Sequence, residues 1–334
     1  MKTKTSFFSL LLIFAVSSGN AQIFDKYAGE FMAGGVGSRY LGLGNNAVPF
    51  ISDPFSVYWN PSGLAKTNNP EISFMHNERF SGLIKFDFIA FSYPYNSETT
   101  FGFGVLRNGI DDIADTRNGW DSDKNQPKEG FVPTYFNSAI YVVYGSLAST
   151  RFLGMPIGAT AKIIRQSYGS VASAWGFGLD VGTQFTNVYD IEDLKIGLVA
   201  HDVTSTLLTW NTGKSELISP SIESGISYSL PVFVGRTLFS AGMINRFENR
   251  KSTAQINIGP VSGDFKLGLE YNYIEKFNLR VGMNELKRYN VGAGIKVKAL
   301  WIDYAFEYFN NDESLGNSHR ISFSLALDKI TRPE

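Results

Sequence analysis

The chain is 334 residues long, with no cysteine, three histidines and a formal net charge of -1. Near-neutral charge gives no basic field to attract nucleic acid, and the lack of thiols removes any disulfide framework, thiolate nucleophile or lipid-acceptor cysteine. Hydrophobic residues make up 43% against 18% charged, and glycine reaches 33 copies, a poor composition for a helical enzyme but one that suits an all-β unit of this length.

The first residues read as an export signal. Lys2 and Lys4 are followed by an apolar run from Phe7 to Val16 and a small-residue exit, Ser17-Ser18-Gly19-Asn20-Ala21. Cleavage is expected after Ala21. The run is too short for a permanent helical anchor, and no later stretch of about 20 apolar residues follows, so helical membrane spans are excluded.

Residues 22–70 lack steady alternation. They carry Gly37-Ser38-Arg39-Tyr40-Leu41-Gly42-Leu43-Gly44, then Asp53, then Trp59-Asn60-Pro61-Ser62-Gly63-Leu64. Asn60-Pro61 has the makings of a pinned turn, because asparagine bonds to nearby amides and proline fixes φ at the next position.

From residue 71 the pattern is that of strands, expected near 71–79, 83–92, 98–107, 135–148, 153–167, 173–186, 193–203, 221–230, 236–246, 263–273, 277–284, 288–298, 300–309 and 318–328. Alternation is cleanest at the C-terminal end. Phe265, Leu267, Leu269, Leu279, Val281, Val291, Ile295, Tyr304, Phe306, Ile321 and Phe323 fall on one face, and Lys266, Glu270, Arg280, Lys296, Asp303 and Glu307 on the other. Connections after even-numbered strands are mostly short. Those after odd-numbered strands include the long ones, 108–134, 204–220, 247–262 and 310–317. Residues 251–260 are assigned to a loop, which keeps the strand count even.

An even number of strands, short turns on one rim and long loops on the other describe a transmembrane antiparallel up-and-down β-barrel of about 14 strands. Most strands are long enough to span a bilayer with tilt. Tyr93, Tyr95, Tyr135, Tyr144, Tyr168, Trp175, Tyr228, Tyr289, Trp301 and Tyr308 sit where interfacial girdles would lie. The apolar face then meets lipid, and the charged face lines a lumen that would leak if empty. The organisation follows: signal peptide 1–21, N-terminal hatch in the lumen 22–70, barrel 71–330. The six lumen charges are expected to pair with opposite charges across the interior, because unpaired charge there is costly.

Catalytic and metal motifs fail on context. Gly42-Leu43-Gly44-Asn45-Asn46-Ala47 fits a dinucleotide fingerprint but follows no buried parallel strand. His76, His201 and His319 are too far apart for a zinc motif, and each is expected to be a lumen or loop polar residue. Asp121, Asp123 and Asn125 open like a calcium loop, but Gln126 stands where glycine is needed and Val132 where a bidentate acid is needed, which leaves a solvated polar loop. Neither a cofactor nor a catalytic residue is implied.

The element Gly37 to Gly44, Asp53, Trp59 to Leu64, His76-Asn77-Glu78-Arg79-Phe80, Leu279-Arg280-Val281-Gly282 and Leu315-Gly316-Asn317-Ser318-His319-Arg320-Ile321-Ser322 together resemble the PorV/PorQ family of Bacteroidetes outer-membrane proteins, itself similar to the FadL long-chain fatty-acid channels. Asn60-Pro61-Ser62 resembles the Asn-Pro-Ala hallmark such proteins place in the hatch, with serine in the last position. One departure is the tail Asp328 to Glu334, which continues past the last strand where many outer-membrane barrels end on an aromatic residue.

The resemblance implies location in the outer membrane of a Gram-negative bacterium, with outer-membrane lipid as surroundings, and leaves two functions open. PorV and PorQ imply a component of the type IX secretion machinery whose extracellular loops hold secreted cargo or machinery subunits. FadL implies a passive channel for small hydrophobic molecules, with a greasy pocket near the hatch and exit through a gap in the wall. The first is the main expectation here, the second its alternative.

Overall fold

A computed structural model describes residues 32, 34–79, 82–151, 154–247, 250, 253–308 and 317–327. The expected signal segment 1–21, the first residues of the expected hatch, Phe80, Leu315, Gly316 and the tail from Asp328 lie outside the described residues.

Among the described residues, nineteen strands follow a short helical segment. The segment holds α1 (Ser38–Gly42), α2 (Ser56–Trp59) and a 3-10 helix (Pro61–Lys66). Fourteen strands form the wall: β1 (Glu71–Arg79), β2 (Ile84–Pro94), β3 (Thr99–Asp115), β6 (Thr134–Ser149), β7 (Ile157–Tyr168), β8 (Ala172–Thr186), β9 (Leu194–His201), β12 (Ser221–Val232), β13 (Gly235–Arg246), β15 (Val261–Tyr273), β16 (Phe277–Met283), β17 (Tyr289–Val297), β18 (Leu300–Tyr308) and β19 (Ser318–Ala326). Each pairs antiparallel with its neighbours, and β1 pairs with β19 from Glu71 opposite Ala326 to Glu78 opposite His319. The fourteen-stranded wall is therefore closed on itself.

The remaining strands decorate one rim. β4 (Trp120–Asp121) and β5 (Gln126–Pro127) make a small hairpin inside the expected 108–134 loop, where β3 runs on past its predicted end through a bulge between Ile110 and Ile113. β14 (Ile256–Ile258) folds back onto the start of β15, within the segment expected to be loop. β10 (Thr206–Trp210) and β11 (Ser215–Ile218) form a hairpin within the stretch 204–220 expected to be loop. β9 pairs with one half of β8 and β10 with the other, separated by an interruption at residues 202–205. Asp202 (φ 51) and Ser205 (φ 55) carry the left-handed backbone of that interruption, and the amides of Asp202 and Val203 donate to the Asp180 carboxylate and the Leu179 carbonyl, both at 2.8 Å.

Two faces of the wall differ as alternation requires. Phe103, Leu147, Phe177, Phe239, Leu267, Leu279 and Val291 point outward and are exposed, while Lys266, Glu270, Arg280, Asp303 and Glu307 are buried inside. The inner face is not uniformly polar, however. Phe86, Phe88, Leu106, Val142, Tyr144 and Ile164 on β2, β3, β6 and β7 point inward and are fully buried together with hatch residues Val36, Tyr40, Phe55, Val57 and Trp59. Tyr144 thus belongs to the lumen, not to a girdle. So does Trp301, which lines an internal pocket.

Candidate functional site: the hatch and its seat

The hatch is held by its backbone as much as by its side chains. Where it crosses β7, a Cβ on Gly158 would stand 2.3 Å from the Pro61 carbonyl carbon, so only glycine permits this approach. On the far side Gly282 of β16 meets the amide of Gly44, and its Cβ would lie 2.3 Å from that nitrogen. Gly44 itself has φ 68, a conformation a side chain disfavours. Gly182 and Gly197, on β8 and β9, continue the same belt of small inward residues against Asn60 and Val48.

Asn60 anchors the corner between α2 and the 3-10 helix. Its Oδ1 accepts from the Ser62 amide (3.2 Å) and hydroxyl (2.8 Å), while Nδ2 donates to the carbonyls of Val48 (3.1 Å) and Thr183 (3.2 Å). Two donors and two acceptors exhaust the amide's inventory, which is why asparagine stands here. The backbone of Asn60 is extended (φ -162), a conformation any residue adopts, so the site uses its side chain; Pro61 at the first helical position fits its fixed φ. Trp59 Nε1 donates to the Val36 carbonyl at 2.9 Å. Leu41, Gly42, Pro61, Ser62, Gly63 and Leu64 are buried, and Gly37 donates its amide to Met75 Sδ at 3.0 Å.

On the side of β15 to β18 the seat is ionic. Arg39 grips Glu270 through two bonds (2.9 and 2.7 Å), Glu270 accepts from Arg280 Nε at 2.5 Å, and Arg280 Nη1 reaches Asp303 at 2.6 Å. Lys266 donates to Glu223 at 2.9 Å and to the Asn45 carbonyl at 3.2 Å, with the Trp59 ring centroid 5.4 Å from its ammonium. Glu307 accepts from Asn284 (2.8 Å) and lies 3.6 Å from Arg288. Lys296 departs from the expected pairing: its ammonium rests over the Trp301 ring at 5.4 Å, with no carboxylate partner among the described residues.

Between this ladder and the hatch lies a polar cavity of about 280 Å³, lined by Arg39, Asp53, Glu71, Glu270, Lys296 and Trp301, among others. Asp53 stands at its hatch wall and accepts from Tyr40 Oη at 2.5 Å and from the Phe55 amide at 2.9 Å. Burial pushes the Asp53 carboxyl up to about 6 against those two hydrogen bonds and the Arg39 charge, which pull the other way.

Two features fall outside the alternation and the motifs of the sequence. Lys162 is buried with its ammonium 2.8 Å from both Asp180 and Asp202, and His201 lies 3.4 Å from Asp180, so one ion cluster ties β7, β8 and the interruption after β9 together. The inward aromatic set Phe86, Phe88 and Tyr144 is the second, legible in principle as apolar residues on both parities of β2. Of the three histidines only His201 faces the lumen. His76 and His319 are on the outer wall, because Met75, Asn77, Ser318 and Arg320 take the inward positions beside them. Asp121 caps its own hairpin by accepting the amides of Asp123 (3.1 Å) and Lys124 (3.2 Å), and no group of three acidic or histidine residues able to hold a metal occurs among the described residues.

A closed fourteen-stranded barrel stoppered by its own N-terminal segment is the architecture of plugged outer-membrane barrels. No family model matches the chain, and no curated protein matches it by sequence. Among solved structures it is similar to the Ralstonia pickettii toluene transporter TbuX (TM-score 0.58, 15% identity, 87% of this chain and 98% of that one). It is also similar to the Pseudomonas putida toluene transporter TodX (0.57, 12%, 88% and 99%) and to a Pseudomonas aeruginosa FadL homologue (0.55, 12%, 87% and 98%). These likenesses establish the fold.

Proposed function

We propose that the protein is an outer-membrane channel for small hydrophobic compounds, exported by a cleaved signal at 1–21, with residues 22–70 as hatch and 71–330 as barrel. The observation that carries the reading is an apolar sector of the lumen on β2, β3, β6 and β7, where Phe86, Phe88, Leu106, Val142, Tyr144 and Ile164 form one cluster with hatch residues Phe55 and Trp59. A wall built only to hold partners through its loops has no need of inward aromatics, whereas a route for apolar solutes needs such a lining. The structural neighbours described as toluene transporters and a FadL homologue support the channel over the secretion component, the other function the sequence left open. In this reading the residues from Gly37 to Leu64 fix the floor on which a ligand comes to rest, and the ladder from Lys266 to Glu307 holds that floor to the wall.

Uptake of radiolabelled toluene by cells lacking their own hydrocarbon channel tests this. Cells expressing the parent should take up toluene well above vector controls, and Phe88→Arg should remove most of the gain while leaving barrel assembly intact. Uptake equal to the vector control contradicts the proposal.

A further inference from the structure

Ionisable residues on the lipid side of a barrel are costly, yet one sector gathers them. Strand register sets His76 opposite Asp87, Asp87 opposite Arg107, Arg107 opposite Tyr141, Tyr141 opposite Arg165 and Arg165 opposite Trp175. They form one row across β1, β2, β3, β6, β7 and β8. Adjacent positions Met75, Asn77, Phe86, Phe88, Leu106, Val142, Ile164 and Ala174 are buried, so alternation turns the row outward.

Its level matters. Arg107, Tyr141 and Arg165 each stand eight positions from the short-turn end of their strand (Thr99, Ser149, Ile157), as do Tyr289 and Tyr308 from Val297 and Leu300. With a rise of about 3.3 Å per residue and a tilt of about 40°, that is roughly 20 Å up an apolar band about 25 Å tall. Where the far side of the barrel presents tyrosines to the headgroup region, this sector presents Lys85, Arg107 and Arg165 with the carboxylates of Asp87 and Asp111 among them, one cation in excess.

The cations keep donors to spare. Arg107 is hydrogen-bonded to the Tyr141 side chain and faces Asp87 and Asp111 only at 3.6 and 3.4 Å, longer than a tight charge-assisted bond, so part of its five-donor fork stays open, and Lys85 uses one contact, to Asp111 at 2.9 Å. Arg165 has the Trp175 ring at 4.8 Å and the Ala174 carbonyl at 3.5 Å, with no carboxylate partner among the described residues. A planar guanidinium fork matches phosphate oxygens, and flanking tyrosine and tryptophan suit the headgroup boundary.

We infer that Lys85, Arg107 and Arg165, framed by Tyr141 and Trp175, hold the phosphate of an anionic glycolipid in the outer leaflet. This rests on the outer-membrane placement proposed above and is independent of what the channel carries. The test is native mass spectrometry of the full chain in mild detergent with three probes: diphosphorylated lipid A, the same lipid dephosphorylated, and inorganic phosphate. The parent should retain the phosphorylated lipid about tenfold better than the dephosphorylated one, and K85Q/R107Q/R165Q should lose that preference. Equal retention of the two lipids, equal binding by parent and variant, or a match by inorganic phosphate overturns the inference, as does a dimer that forms through this face in the parent and is lost in the variant. Should the triple variant fail to assemble, Arg165→Gln alone carries the test, because no carboxylate is left unpaired by it; the preference should fall about threefold.

Discussion

Gly158 of the wall and Pro61 of the hatch lie so close that a single methyl on the glycine would meet the proline carbonyl carbon at 2.3 Å. Neither backbone can yield cheaply, since Pro61 is fixed by the Asn60 corner and Gly158 by its strand partners.

Gly158→Val should therefore shift the hatch without opening the ladder of the wall. Overpacking of this kind costs about 1–3 kcal/mol. In planar bilayers the variant should show conductance steps where the parent shows a near-silent baseline; a baseline equal to the parent's counts against a tight seat.

Arg39 and Arg280 share Glu270 but differ in what their loss exposes. Arg280→Met leaves Glu270 and Asp303 buried without it, a change expected to cost about 3–5 kcal/mol. Arg39 is 37% exposed and its removal leaves Glu270 still bonded to Arg280, so Arg39→Met should cost about 1 kcal/mol or less. Thermal unfolding in detergent ranks the two, and equal midpoints contradict the ladder.

Asn60→Ala removes four hydrogen bonds from a corner that water does not reach. The buried Val48 and Thr183 carbonyls lose donors, so the hatch should be destabilised by about 2–4 kcal/mol. Hydrogen exchange should show faster opening of residues 45–65 with the strands unchanged. Asn60→Asp should fare no better, because it restores the acceptor but sets a carboxylate oxygen against the two carbonyls.

Asp53 supplies a pH dependence. Its carboxyl titrates near 6 in the folded protein against an ordinary value of 3.8. A raised carboxyl favours the folded hatch below the unfolded value, and that contribution disappears as pH rises through 6. Exchange protection of the hatch should thus be stronger at pH 4.5 than at pH 7.5, and Asp53→Asn should flatten the difference. A parent with equal protection at both pH values contradicts this.

How much was legible in the sequence follows from the period of its patterns. The wall was readable because outward residues such as Leu267, Leu279 and Val291 repeat every second position, and because the turns after even-numbered strands are short. β10 and β11 were not, since Thr206 to Trp210 is brief and its neighbour Asp202 breaks the alternation with a left-handed residue. The ladder Glu270–Arg280–Asp303 could be placed on one face but not partnered, because pairing depends on register across strands. The glycine belt was present as Gly158, Gly182, Gly197 and Gly282 on inward parities, yet composition alone does not say that a second backbone lies against them. The outward turn of His76 and His319 runs against their polarity, which suggests a wet face, while parity with the exposed Phe74 and Ile321 puts them on the other.

Which face of each strand meets lipid decides what this barrel is. The chain has no cysteine, so single cysteines placed at Phe103, Leu279 and Val291, and for contrast at Ser324, can carry nitroxide labels one at a time. In reconstituted bilayers, the three outward labels should relax with dissolved oxygen and ignore a water-soluble nickel chelate, and the Ser324 label should show the reverse or neither. Strong relaxation of the outward labels by the chelate, with oxygen ineffective, would contradict the barrel described here.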